Sequence, residues 1–442
     1  MKKSLAIAFI FLPVIMSGIK SAHGQQGSAT MVDKTFNSGA VTITDKGSYY
    51  FVTLDYTGKT TPHEMGEQYG RCILLAVPDF ESVIGYYLFE IATLEGLWGN
   101  TVPDRTHILQ TNLDRDSRDE LDGLASVMKG AWSWKPEDEI YAYNLLPDVI
   151  RTSQCSAFGC WGEATANGKN IVGRNLDWFG GLVKQELPAI QAITRIRYPG
   201  RTLYLFGALG HLGCITGISV KTGILAGVLD SDVEGSTYSA TGCTSFSFDL
   251  RRALEKSATV NEIAGSMSGT AHKYTFSHLI VIADEQETYI LENNISGAGV
   301  HASRALRRDT SLLNPGIVWS HSQMIGAVNG FMLNGQVDNF AQGKHAKINT
   351  RRWELLLDKV NQTMQRSDGR LSVTDVREIM SSFHGREPGS MFLNAGDLYN
   401  LQTQQIIVYI PGERTVQAYL KPKSGDNPAD PLPYFQVITL EP

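Results

Sequence analysis

Residues Gln154–Gly181 read QCSAFGCWGEATANGKNIVGRNLDWFGG. The stretch holds two cysteines, Cys155 and Cys160, then a polar turn, then Arg174-Asn175-Leu176-Asp177-Trp178. Asn167-Gly168 can take the positive φ angles a tight turn needs, and apolar positions flank it, so the spacing predicts a β-hairpin. Cys155 stands at the head of the first strand, before Ser156-Ala157-Phe158. The second strand returns Arg174 and Asp177 toward it, 19 and 22 residues after the cysteine. In a regular strand Arg174, Leu176 and Trp178 share one face and Asn175 and Asp177 the other. A bulge would bring both charges to one site.

The pattern differs on the two sides of this hairpin. Residues 25–61 are strand- and turn-rich. Pro62 to Trp98 carries apolar residues at three- and four-residue spacing, and RDSRDELDGLASVMKGA and PEDEIYAYNLLPDVI are two further helical stretches. After the hairpin, TLYLFGA, CITGISV and GILAGVLD read as strands, with Thr222-Gly223 as a turn. SFSFDLRRALEKS and TVNEIAGSM are helical, and Thr259 and Glu262 have the spacing of a capping box. Strands HLIVIADEQ and ETYILENN follow, then the helix TRRWELLLDKVNQTM, a shorter helix opened by Ser372, and strands QQIIVYIP, RTVQAYL and YFQVITL. Helices, strands, helices and strands with hairpin-like connections predict an α+β fold of layered antiparallel sheets in one domain.

The 442 residues are 42% hydrophobic and 19% charged, with a net charge of −6. This is ordinary globular composition, and the scattered Lys and Arg residues argue against a nucleic-acid partner. Residues 1–24 have a basic start, an apolar stretch and Ala22-His23-Gly24 as a small-x-small cleavage site. They read as a signal peptide, with a mature chain from about Gln25 that is secreted or periplasmic. No other segment approaches the ~20 apolar residues of a span, so no stable membrane span is expected after signal removal.

Five cysteines, Cys72, Cys155, Cys160, Cys214 and Cys243, leave at least one thiol unpaired if all bridges are intramolecular, and their spacing leaves the pairing open. Cys72 lies in a helical pattern and reads as structural. Gly159-Cys160-Trp161 has part of the papain-type signature, with His301 lying 141 residues downstream. A papain nucleophile begins a helix, whereas Cys160 precedes a hairpin turn, and Cys155 is five positions before it rather than three. Cys243 precedes an amphipathic helix for which Thr244 or Ser245 serves as N-cap. Cys155, with Arg174 and Asp177 returning toward it, has the most reactive surroundings.

Cys155-Ser156-Ala157-Phe158, Trp161-Gly162-Glu163-Ala164-Thr165, Asn167-Gly168-Lys169 and Gly173-Arg174-Asn175-Leu176-Asp177-Trp178 resemble the acyl-coenzyme A:6-aminopenicillanic acid acyltransferase-like family. Its wider relatives are choloylglycine hydrolases, penicillin V acylases and acid ceramidases, all N-terminal nucleophile hydrolases. Glu64-Met65-Gly66-x-x-Tyr69-Gly70, Leu121-Asp122-Gly123-Leu124-Ala125, Tyr143-Asn144-Leu145 and Leu371-Ser372-Val373-Thr374-Asp375-Val376 extend the resemblance over nearly the whole mature chain.

The resemblance implies a four-layer αββα sandwich with two stacked antiparallel sheets. It also implies autoproteolysis at Gln154–Cys155, separating an amino-terminal helical segment, 25–154, from a catalytic portion, 155–442. Cys155 then becomes both nucleophile and, through its freed α-amine, base. Arg174 and Asp177 would position the amino terminus and substrate. For the oxyanion or substrate the resemblance points to Asp230, where the family carries Asn, and to His321, with Asn293 and Asn294 as alternatives. Arg352, or its neighbour Arg351, resembles the family's late arginine. The expected function is an exported, self-processing cysteine amidase or acyltransferase acting on a small acylated molecule, with no metal or cofactor. The alternatives are a noncatalytic ligand-binding protein on the same fold and a papain-like protease using Cys160.

Overall fold

The computed structural model describes residues 33–130, 134–150, 155–181, 185–231, 238–269, 271–295, 304–337, 340, 346–383 and 396–442. The expected signal peptide, the junction residue Gln154 and His301 lie outside the described residues. Three strands open the chain, β1 (Lys34–Ser38), β2 (Val41–Asp45) and β3 (Tyr50–Asp55). Six helices follow: α1 (Pro62–Ala76), α2 (Phe80–Leu94), α3 (Thr101–Gln110), α4 (Arg115–Ser126), α5 (Pro136–Asn144) and α6 (Leu146–Val149). The predicted hairpin is β4 (Ser156–Cys160) and β5 (Ile171–Asp177).

A short α7 (Glu186–Ala189) leads into β6 (Gln191–Tyr198), β7 (Arg201–Ala208), β8 (Thr216–Ser219) and β9 (Leu225–Asp230). Helices α8 (Phe246–Lys256) and α9 (Val260–Ser268) precede β10 (His278–Ala283), β11 (Thr288–Asn293), β12 (Arg304–Arg307) and β13 (Met324–Ala327). The chain ends with α10 (Ala346–Arg366), α11 (Val373–Met380), β14 (Thr403–Tyr409), β15 (Thr415–Leu420) and β16 (Gln436–Thr439).

These strands form two sheets. One is ten-stranded in the order β1-β2-β3-β6-β7-β8-β9-β10-β11-β12, and the other six-stranded in the order β13-β4-β5-β14-β15-β16. They stack face to face, so that a Cβ on Gly159 of β4 would collide with Thr288 of β11. Helices α1, α8 and α9 cover the outer face of the larger sheet, and α10 and α11 that of the smaller. This is the expected α+β, four-layer αββα sandwich. One pairing departs from the antiparallel expectation: β3 and β6 run parallel. Helices α1–α7 and the β4–β5 hairpin intervene between them, the long crossover that a parallel pair requires.

Local chemistry explains the element ends. Thr61 and Glu64 form a reciprocal capping box at the start of α1, and Ser372 and Asp375 do the same for α11. Thr259 caps α9 by accepting from Glu262 N, but the Glu262 carboxylate reaches Ala258 N, so the predicted box is only half formed. The helical pattern read continuously from Pro62 to Trp98 breaks before Pro78, and α1 and α2 meet at 96°. Proline lacks the N–H that would continue α1, and it disfavours helical geometry in Val77. At the hairpin turn Gly168 has φ 73°, the left-handed geometry predicted for it. Residues Asp33–Pro442 form one compact unit, in which the helices before Cys155 pack with the rest.

Candidate active site

The hairpin pairs Ser156 with Asn175 and Ala157 with Arg174, so its register sets Cys155 opposite Leu176 at the strand end. Cys155 is 1% exposed. Arg174 projects from the inner face of β5 toward the larger sheet. Its Nη2 donates to the backbone oxygen of Val228 on β9 at 2.5 Å and lies 3.5 Å from Cys155 Sγ. Gly227 of β9 leaves room for this side chain, since a Cβ there would stand 3.2 Å from Arg174 Nε. Arg174 Nε and Nη1 are buried without a hydrogen-bond partner among the described residues. They remain as donors beside the thiol.

Asp177 faces the opposite way, as strand alternation requires, and meets α10 instead. Its Oδ2 accepts from Arg352 Nη2 at 2.7 Å and from Asn400 Nδ2 at 2.9 Å, and its Oδ1 accepts from Thr403 Oγ1 at 2.7 Å. Arg352 Nη1 then donates to Asn329 Oδ1 at 2.8 Å, and Asn329 Nδ2 donates to the backbone oxygen of Asp230 at 2.7 Å. A chain of hydrogen bonds thus runs from β5 through α10 and the residue beyond β13 to the end of β9, tying the two sheets together around Cys155. No bulge in β5 is needed to gather the groups. At the strand end Cys155 feels Arg174 from one face and Asp177 from the other.

The electrostatics follow from burial. Desolvation pushes the Cys155 thiol up, Arg174 opposes this, the charges of Asp177 and Asp230 add to it, and the Asp177 backbone N–H lowers it. The thiol is therefore held in its protonated form. Burial pushes Asp177 up to about 6, against the pull of Arg352 and the hydrogen bonds from Thr403 and Asn400. Burial also pulls Arg352 down, with Asp177 opposing. Both directions show a pair whose desolvation offsets much of its attraction. At pH 7 Asp177 is still a carboxylate.

The other expected residues divide. Asp230 closes β9 and joins the frame through its backbone. Arg352 is fully buried at the site, whereas Arg351 is exposed. Asn293 is in register with His278 and, through it, with Asp230, two strands or roughly 10 Å away. Its Nδ2 is held by the Met267 backbone oxygen at 3.2 Å and by His278 Nε2 at 3.1 Å, which makes it a strand-end lock. Asn294 is buried in the adjoining position. His321 is placed elsewhere. Met324 pairs with Cys160, so His321 lies beyond the far end of β4, against Trp319 with ring centroids 5.4 Å apart.

Sequence reasoning missed Asn329, Asn400 and Thr403. Asn329 lies eight positions after His321 and links Arg352 to the Asp230 backbone oxygen. Thr403 had a local signal, since Thr403-Gln404-Gln405 is an all-polar start to a fully buried strand. Asn400 had none. The five cysteines are all free and buried, so no disulfide shapes the site.

A cavity of about 60 Å³ is bounded by Leu176, Trp178, Tyr87, Gln191, His211, Gln404 and Gln405.

No protein-family model matches the chain. A segment of 140 residues is 29% identical to Protein dcd1B of Dictyostelium discoideum, covering 30% of this chain and 26% of that protein. The chain therefore matches only about a quarter of that relative's length. Among solved structures it is similar to a Caenorhabditis elegans N-acylethanolamine-hydrolyzing acid amidase ortholog, at 15% identity and TM-score 0.38, over 65% of this chain and 100% of that one. It is also similar to a point mutant of conjugated bile acid hydrolase from Clostridium perfringens, at 12% identity and TM-score 0.33, over 64% of this chain and 92% of that one. Penicillin V acylase from Agrobacterium tumefaciens shows 9% identity and TM-score 0.33, over 60% of this chain and 83% of that one.

Proposed function

We propose that this chain is an exported, self-processing cysteine amidase that cleaves the C–N bond of a small acylated amine through Cys155. The observation that carries the reading is the buried Cys155 thiol, 3.5 Å from the Arg174 guanidinium at the end of the paired strands. No histidine is assigned as its base in this reading. The missing base is the amino group of Cys155 itself.

Processing comes first. Cys155 Sγ attacks the carbonyl carbon of Gln154, the C–N bond breaks, and the nitrogen leaves protonated as the α-amine of Cys155. Water then hydrolyses the thioester, releasing the Gln154 carboxylate and restoring the thiol. An α-amine ordinarily titrates near about 7.7–8.0, which suits a base at neutral pH. In turnover it takes the thiol proton, the thiolate attacks the substrate carbonyl, and the proton passes to the departing amine. Water resolves the acyl-enzyme. The carboxylate of Asp177 helps to hold the new ammonium, and the uncommitted N–H groups of Arg174 face the charge that develops beside Sγ. Hydrolysis is favoured over transfer because water is abundant outside the cell.

Intact-mass measurement of purified protein tests this. The expected result is two chains divided between Gln154 and Cys155, with Cys155→Ala remaining whole. An uncut chain that also resists thiol-directed acyl probes would sink the proposal and favour a noncatalytic binding protein.

A further inference from the structure

Asn329 lies in neither a helix nor a strand, yet it joins Arg352 to the end of β9. Its backbone sits in a tight turn. Gly330 N donates to Val328 O at 2.7 Å, the three-residue bond of a turn centred on Asn329. Asn349, one helical turn before Arg352 on α10, donates to Asn329 O at 3.1 Å. One short bond does not by itself hold a side chain that must meet Arg352 at 2.8 Å and the Asp230 backbone oxygen at 2.7 Å.

A buried ion pair on the larger sheet grips this turn from both ends. Glu292 of β11 is in register with Ala305 of β12, so Arg307, two residues on, shares its face. Arg307 Nε donates to Glu292 Oε1 at 2.8 Å. Each member then reaches across to the segment that carries Asn329. Arg307 Nη2 donates to Gly326 O on β13 at 2.7 Å, three residues before the asparagine. The Glu292 carboxylate accepts from Met332 N at 3.1 and 3.2 Å and from Leu333 N at 3.1 Å, three and four residues after it. Asn329 stands between the two grips.

Stability alone is a poor reason for this pair. The two residues are 0% and 1% exposed. Burial pushes the Glu292 carboxyl up and pulls Arg307 down, each opposed first by the other's charge. Such a pair commonly stabilises a fold no more than apolar side chains of similar volume would. What apolar side chains cannot supply is charge-assisted bonding to the backbone on either side of one residue.

Resting on the amidase reading, we propose that Glu292 and Arg307 are positioning residues for amide hydrolysis, holding the turn so that Asn329 keeps Arg352 against Asp177. They act through Asn329 and touch none of the reacting atoms.

The test replaces the pair instead of breaking it. The full-length double variant Glu292→Leu, Arg307→Met leaves no charge buried alone, so its melting temperature is expected to stay close to that of the wild type. Both grips are gone. Two rates are read: self-cutting, followed by intact mass, and hydrolysis of octanoyl p-nitroanilide. Each is expected to fall about tenfold or more, in hydrolysis through kcat with KM little changed. The acid limb of hydrolysis should also move up in pH. Burial pushes the Asp177 carboxyl up, and Arg352 is the strongest group pulling it back, ahead of Thr403, Asn400 and Arg174. A looser Arg352 therefore lets Asp177 take its proton at higher pH. Glu292→Asp keeps the charge beside Arg307 but draws the carboxylate away from Met332 N and Leu333 N. It should show the same changes to a smaller degree.

A folded double variant with wild-type rates and an unmoved acid limb overturns the proposal, since a merely structural pair would alter melting alone. If the double variant does not fold, Glu292→Asp decides, and wild-type rates in it overturn the proposal. If the wild type cuts itself but leaves the anilide intact, the self-cutting rates decide. Failure of the variants to slow a wild-type chain that works leaves the amidase reading standing. A wild-type chain that neither cuts itself nor hydrolyses the anilide removes that reading, and this proposal with it.

Discussion

Cys155 precedes and Cys160 closes the same strand, and both are buried to within 1% of full coverage. Their surroundings differ. Cys160 sits in the apolar cluster of Phe158, Ile171, Met324 and Leu371 under α10 and α11. Its Sγ lies 3.8 Å from the Ile171 backbone oxygen, and burial pushes its thiol far up with only distant Asp375 adding to the effect. Cys155 has the same burial but is opposed by the Arg174 guanidinium and touched by the Asp177 N–H. Burial alone makes a thiol inert. A reactive one needs buried charge held in place beside it, and holding that charge takes both sheets and α10.

The sharpest way to break this contrast is to exchange the roles. Cys155→Ala is expected to abolish both chain cutting and amide hydrolysis, while Cys160→Ala leaves both measurable by mass and product release. The opposite outcome would move the nucleophile to Cys160.

Next in size is Asp177→Asn, which leaves Arg352 buried without its countercharge. It should destabilise the chain by about 3–5 kcal/mol in denaturant unfolding and reduce hydrolysis sharply. Because Asp177 is pushed up to about 6, hydrolysis should fall as pH drops through about 6, as the carboxylate is protonated and its hold on Arg352 weakens. The stability linkage has the other sign. A carboxyl raised in the folded chain binds its proton more tightly there, so this group's contribution declines as pH rises from about 4 to 6. A rate that stays flat from pH 7 to 5 removes ionised Asp177 from the mechanism.

Gly227→Ala should act on Arg174 without touching either charge. A methyl 3.2 Å from Nε must shift the guanidinium, and a rate loss of roughly tenfold is expected with little change in unfolding. Equal activity would show that Arg174 tolerates displacement and does not position the reacting groups.

Asp148 is a buried acid with no ion-pair partner among the described residues. Its carboxylate caps α8, Oδ1 accepting from Phe246 N at 3.0 Å and Oδ2 from Ser245 Oγ at 2.5 Å, and burial pushes it up to about 8. The folded chain keeps this proton while the unfolded chain releases it near its ordinary 3.8, so stability should fall as pH rises from about 4 to 8. Asp148→Asn keeps the cap and removes the titration. In melting curves it should match the wild type near pH 4 and exceed it above pH 8. The smallest effect is that of Cys160→Ala on folding, about 1 kcal/mol from one lost buried sulfur.

Much of this was legible in the chain because it is local. The hairpin, its Gly168 turn, the alternation of Arg174 and Asp177, the capping residues Thr259, Ser245 and Ser372, and the α+β order all follow from spacing over a few residues. The break at Pro78 was also readable, but the apolar period runs through it and hid it. Helix α3, TVPDRTHILQ, was not seen because its buried Val102, Pro103, Thr106 and Leu109 form no strong apolar stripe. The site frame was harder. Arg174 and Asp177 were visible, yet their partners Val228, Arg352, Asn400 and Thr403 lie 54 to 226 residues from one or the other. No periodicity reports a contact at that separation. The neighbours of His321 resemble a donor segment, whereas the pairing of Met324 with Cys160 carries His321 beyond the far end of β4.

By itself, then, the sequence determined the strand that carries Cys155, the hairpin that returns two charges to it and the order of layers, since backbone sterics and side-chain periodicity act on neighbours. The tertiary structure alone decided that Asp177 answers to Arg352, that Asn329 joins the two sheets, and that the β5–β14 register shifts at Gln404. Those outcomes depend on which buried polar groups find partners across the sandwich, and that is settled only when the sheets close on each other.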